Sequence, residues 1–196
     1  DAPVGVGDIG VIVQPFADLG RRVVGKAMDD RIGCAIALEA LRTMGESPND
    51  VYFCLTVQEE VGTRGALVAA YGVEPEVGVA IDVTDTGDTP EAAPMAVSLG
   101  GGPAIKVMDG GFLTHPGVKD WMVGTAERLG IPYQMEVLTG GSTDARAIQT
   151  VRDGVPAGCL SIGTRYVHTQ SEMVDMGDVE ASLELLVEMV TKPVTI

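Results

Sequence analysis

Residues 51–83 read VYFCLTVQEEVGTRGALVAAYGVEPEVGVAIDV. The run from Val51 to Val57 is apolar, stops at two adjacent glutamates, Glu59 and Glu60, and reads as a strand. Thr63 to Tyr71 reads as a short helix, and Val77 to Val83 as a second strand. Strand, helix and strand in that order predict an α/β fold.

Working outward, the alternation continues. Upstream, Ile32 to Met44 is Ala- and Leu-rich with helical spacing. Downstream of a long Thr/Pro/Gly-rich loop, strands are expected over Pro103–Val107, Tyr133–Leu138 and Val155–Ile162, and helices over Val118–Leu129 and Thr143–Val151. A last amphipathic helix, VEASLELLVEM, carries Val179, Leu183, Leu186, Val187 and Val190 on one face. The predicted architecture is a mixed, largely parallel sheet sandwiched by helices. Before Lys26 the composition differs: VGVGDIGVIVQPFADLGRRVVG is rich in Gly and Val with short alternations, so residues 1–24 read as small strands and turns, and 25–196 as the main domain.

The 196 residues are enough for one compact domain. Hydrophobic residues make up 45% and charged residues 21%, an ordinary globular balance. A net charge of −15 argues against a nucleic-acid groove or an anionic membrane surface, both of which need clustered Lys and Arg. No apolar run approaches the roughly 18 residues of a membrane span. Cys34, Cys54 and Cys159 are odd in number, widely spaced and set among apolar neighbours, which predicts reduced core thiols in a cytoplasmic protein. The chain opens Asp1-Ala2-Pro3 and reads as a processed or expressed piece of something longer.

In α/β folds chemistry gathers at the carboxyl ends of strands. The acids fall there. Glu59 and Glu60 follow the Val51 run, Asp82 ends the Val77 run, His168 follows the Val155 run, and Asp29-Asp30 precedes the first helix. Each has a plainer explanation. Aspartates before a helix cap it. Adjacent glutamates can be a solvated strand end, Asp82 a turn residue, and a lone His a structural one. His115, just before Pro116, reads as structural at a helix start. Taken together, three acidic clusters and one imidazole offer oxygen and nitrogen donors without thiolates, which suits Zn²⁺, Co²⁺ or Mn²⁺.

The motifs AMDDRIGCA (27–35), TVQEEVGTRGA (56–66), AIDVTDTGDTP (80–90), GGGPAIKVMD (100–109), IPYQMEVLTGGSTDARAIQ (131–149) and GVPAGCLSIGTRYVHTQSE (154–172) make the chain resemble the tetrahedral (TET) or glutamyl/deblocking aminopeptidase family of co-catalytic metallopeptidases. Some of its members carry an endoglucanase label. The resemblance runs from about Val6 to Val190. It implies an aminopeptidase with divalent metal, Zn or Co, two ions per active site in the intact family. By the same resemblance Asp29 would bridge the ions, Glu59 would be the general base, Glu60 and His168 would hold one ion, and Asp82 the other. The segment Gly140–Ala145 would lie near the substrate, its plainer role being helix capping by Ser142 or Thr143.

The family pattern also has an earlier histidine and, between it and AMDDRIG, a β-rich dimerisation insert. Residues 1–24 resemble the end of that insert, and no histidine precedes Asp29. One ion would thus keep three protein ligands, the count of a catalytic zinc with an open position. The other would keep only Asp29 and Asp82, so at most one tight ion is expected for this chain. The implied partners are peptide substrates and further copies of the protein, as dimers building dodecamers. Two other readings stay open: a glycoside hydrolase, which also uses paired carboxylates, and a catalytically silent fragment.

Overall fold

The computed structural model describes residues 3–196. In chain order the elements are β1 (Ala17–Asp18), β2 (Arg22–Gly25), α1 (Met28–Thr43), α2 (Arg64–Val73), β3 (Gly78–Thr84), β4 (Ala104–Met108), α3 (Pro116–Leu129), β5 (Gln134–Val137), α4 (Asp144–Ile148), β6 (Ala157–Arg165), β7 (Glu172–Asp175) and α5 (Met176–Thr191).

The strands form one seven-stranded mixed sheet in which β6 is the hub. It pairs in parallel with β3 along Gly78–Thr84, and antiparallel with β4 and β7. The β4/β5 pair is parallel, while β2/β7 and β1/β2 are antiparallel. Parallel pairing is thus confined to β3/β6 and β4/β5. Residues 22–25 belong to the same sheet, because β2 pairs with β7 along its whole length.

β6 is buried from Ala157 to Thr164, as a strand covered on both faces must be. Its alternation sorts the layers. Leu160 and Ile162 pack with Met28, Ile36 and Ala40 of α1, Met122 and Ala126 of α3, and Leu185 and Met189 of α5. Ala157 and Cys159 face the other way, onto Ala145 of α4 and Phe112. α5 buries Ser182, Leu185, Leu186 and Met189, so the deepest stripe of this helix is one step round from the expected one. Of the expected face only Leu186 is fully buried.

Two further expectations fail. Residues 51–57 form no strand. The residues have strand-like composition, but a ladder needs a neighbour. Tyr52, Leu55 and Val57 are exposed, and the β3 ladder runs to β6 alone. The three thiols also differ in setting: Cys159 is buried, Cys34 half-buried and Cys54 exposed on this unladdered segment, although all three are free as expected.

Lys106 of β4 and Glu136 of β5 are paired in register and fully buried as an ion pair. Thr84 Oγ1 donates to Glu136 Oε1 at 2.7 Å, which ties the end of β3 to this pair. Breaking one member of such a pair leaves an uncompensated charge, typically a loss of about 3–5 kcal/mol.

Candidate metal centre

The site lies where the start of α1, the turn before α2 and the turn after β6 meet. At the first of these, Ala27 adopts a left-handed conformation, and Asp29 and Asp30 are not helical; the peptide between them is cis. The two carboxylates separate. Asp30 Oδ1 accepts from Gly33 N at 3.0 Å and caps the helix. A Cβ at Gly33 would lie 2.2 Å from the Asp30 carboxylate, so a larger residue there would push this cap aside. Asp29 is thereby left to point at His168.

Glu59 and Glu60 sit in a turn closed by its own backbone. Gly62 N and Thr63 N donate to Glu59 O at 3.0 and 2.8 Å, and Gly65 N donates to Val57 O at 2.9 Å. Gly65 is indispensable to this closure: a Cβ would stand 2.5 Å from both the N and O of Val57. Thr56 Oγ1 anchors the turn by donating to Asp144 Oδ2 at 2.5 Å.

His168 follows β6 in a turn, with φ of 62°. Its Nε2 lies 3.0 Å from Asp29 Oδ2 and 3.2 Å from Glu60 Oε2. One donor atom from each of Asp29, Glu60 and His168 lies within 4.8 Å of the others. Of the five residues expected at the site, these three converge. Asp82 lies within β3, 8% exposed, and accepts from its own Val83 N at 2.8 Å. Asp82 and Glu59 both stand outside the tight trio but within electrostatic reach of Asp29.

The electrostatics are those of acids crowded together out of water. Burial, then the charges of Asp144, Glu60 and Asp29, push Glu59 up to about 7. Burial, then Glu60, raises Asp29 to about 6, with His168 pulling the other way. Burial raises Asp30 to about 8 despite its backbone hydrogen bond, and raises Asp82 well above the ordinary carboxylate range. Among the described residues no Lys or Arg forms an ion pair with any of these acids. A site with one imidazole, converging carboxylates and no protein cation suits a divalent ion, which would offset the repulsion.

Asp29 and Glu60 line a cleft of about 580 Å³, walled by residues 51–56, α2, and the edge of β3, with Asp82 and Asp144 at its acidic end. Asp144 belongs to the GGSTDA segment. Neither Ser142 nor Thr143 caps α4 as expected: Ser142 Oγ donates to Asp109 Oδ1 at 3.0 Å, and Thr143 Oγ1 is buried without a partner. His115 precedes Pro116 at the start of α3, as expected.

Two contributors were not legible. Asp144 holds Thr56, and Glu172 accepts from the backbone N–H groups of both Asp29 and His168, at 3.1 and 2.8 Å. The one available signal for Glu172 was an acid two residues before Val174. On a strand the two share a face, and both are buried here.

The profile of the M42 glutamyl aminopeptidase family matches residues 1–185. A lysyl aminopeptidase of Pyrococcus furiosus is 38% identical over 184 residues, 92% of this chain and 52% of the relative. The solved structure of an aminopeptidase from the archaeon Desulfurococcus kamchatkensis superposes with a TM-score of 0.89 at 42% identity, over 91% of this chain and 52% of that one. The TET1 peptidase of Pyrococcus horikoshii, whose structures describe assembly into a tetrahedron or a large octahedral shell, gives a TM-score of 0.81 at 31% identity, over 90% and 52%. The chain therefore spans about half the length of the relatives it matches.

Proposed function

The chain belongs to the M42 glutamyl aminopeptidase family, and on that premise we propose that its site serves the metal-dependent removal of amino-terminal residues from peptides. The observation that carries the proposal is the convergence of Asp29, Glu60 and His168, with donor atoms within 4.8 Å of one another, beside Glu59. Asp29, Glu60 and His168 would hold one divalent ion, Zn²⁺ or Co²⁺. Asp29 and Asp82 are the ligands this chain offers a second, so one tightly held ion per chain is expected. When bound, such an ion supplies Lewis acidity at the carbonyl of the scissile bond.

The remaining chemistry belongs to side chains. Glu59, held near 7 by burial and its acidic neighbours, can both accept and return a proton at neutral pH. It takes one from the attacking water and delivers it to the departing amine. Asp30 fixes the helix start from which Asp29 projects, and Asp144 fixes Thr56, three residues before Glu59. The acidic end of the cleft, with its cluster of carboxylates, suits the free α-ammonium of a peptide. The assembly of the TET1 peptidase into a tetrahedron or a large octahedral shell supports a homo-oligomer for the whole protein. Residues 1–24 are the proposed end of a β-rich dimerisation part and 25–196 the proposed catalytic domain, the two joined in one sheet through β2.

The test is hydrolysis of aminoacyl-anilides by the whole protein. Activity abolished by a chelator and restored by Zn²⁺ or Co²⁺ is the expected result. Cleavage of a cellulose derivative without anilide hydrolysis would replace the proposal with a glycosidase.

A further inference from the structure

Glu172 is a carboxylate 2% exposed, in the four-residue strand β7. Its two oxygens are both spoken for: Oε1 accepts from His168 N at 2.8 Å and Oε2 from Asp29 N at 3.1 Å. The two residues it holds are 139 positions apart in sequence, and their side chains meet at 3.0 Å between His168 Nε2 and Asp29 Oδ2. The strand itself is pinned on both edges, by β2 (Gly25 opposite Glu172) and by β6. Each clamped residue sits in backbone that no helix or ladder fixes. His168 has φ of 62°, and Asp29 is in the non-helical opening of α1.

From this geometry we propose that Glu172 is a positioning residue for the metal centre. One buried carboxylate clamps the backbones of two ligands so that their side chains converge before any ion arrives. This rests on the metal reading given above and adds a residue to it that touches neither ion nor substrate. A carboxylate suits the task because it offers only acceptors, and charge-assisted bonds to N–H groups are about twice as strong as neutral ones. Prealignment matters because ligands held by outer hydrogen bonds lose about 10–100-fold in metal affinity when the outer partner is removed.

The experiment titrates the purified, chelator-treated chain with Co²⁺, following d–d absorption and heat, for wild type, Glu172→Gln and Asp178→Asn. Asp178 is the matched control. It is 1% exposed and accepts from Gly100 N and Gly102 N, each at 2.7 Å, with no bond to a site residue. The same three proteins are compared by amide hydrogen exchange at Asp29 and His168 without metal, and by melting temperature. Glu172→Gln is expected to weaken Co²⁺ binding about 10–100-fold and to speed exchange at one or both amides. Asp178→Asn should lower the melting temperature comparably and leave both other readouts in place. The inference is overturned if Glu172→Gln binds Co²⁺ as wild type does, or loses no more affinity than the control. A wild-type chain that takes up no Co²⁺ would overturn the metal reading itself, and this inference with it.

Discussion

The two walls of the site are built unequally. Asp29 and His168 stand on the side of the sheet hub, where β2, β7 and β6 are laddered together and Glu172 grips both backbones. Glu59 and Glu60 stand opposite, on a turn that follows a segment with no ladder bonds, held by its own backbone closure and by Thr56 on Asp144. One wall is anchored by strand ladders, the other by its own turn and a single side-chain bond to Asp144. An ion bound by Asp29, Glu60 and His168 would be the strongest tie between them, so the proposed cofactor would also be a structural brace.

His168→Ala is expected to do most to break this tie. It removes the site's one imidazole and leaves the backbone bonds of both walls in place, so tight Co²⁺ binding should disappear from a calorimetric titration. Retention of wild-type affinity would place the ion elsewhere. Glu59→Gln tests the looser wall alone: bound metal unchanged, and turnover of an aminoacyl-anilide by the whole protein reduced by about 10² or more. Thr56→Val releases the anchor. It leaves Asp144, whose Oδ1 already lacks a partner, with neither oxygen bonded, at about 1–3 kcal/mol. The melting temperature should fall by several degrees, and exchange at the amides of residues 57–63 should quicken while that of β6 does not.

The smallest effect concerns the laddered side. The Arg165 guanidinium at the end of β6 holds Asp88 down to about 2 and fastens the loop after β3. A depressed carboxylate stabilises above its unfolded pKa, near 4, and that contribution is lost as pH falls towards 2. The melting temperature of wild type should therefore drop more steeply over this window than that of Asp88→Asn. Parallel curves would show that the pair contributes nothing.

Much of this was legible from patterning. Helices α1, α2, α3 and α5 and strands β3 to β6 fall where periodicity set them, because burying an apolar face is a local demand that sequence spacing records. β7 was not legible: four residues, EMVD, carry too little alternation to distinguish a strand from a turn. Residues 51–57 misled in the opposite sense, since their composition reports a preference for pairing and not the presence of a partner. Of the site, the residue types and their positions at element ends could be read. That Asp30 would cap and leave Asp29 free, and that Glu172 would hold two ligands, could not.

The sequence by itself determined the α/β class, the acidic and imidazole donor set, and the resemblance that the family match bears out over residues 1–185. The resemblance grouped Asp29, Glu60 and His168, which patterning did not, and only the tertiary structure brings them within reach of one another. Period and composition are properties of neighbours along the chain. The approach of His168 to Asp29 within 3.0 Å depends on strand order, register and one buried carboxylate linking segments far apart in sequence.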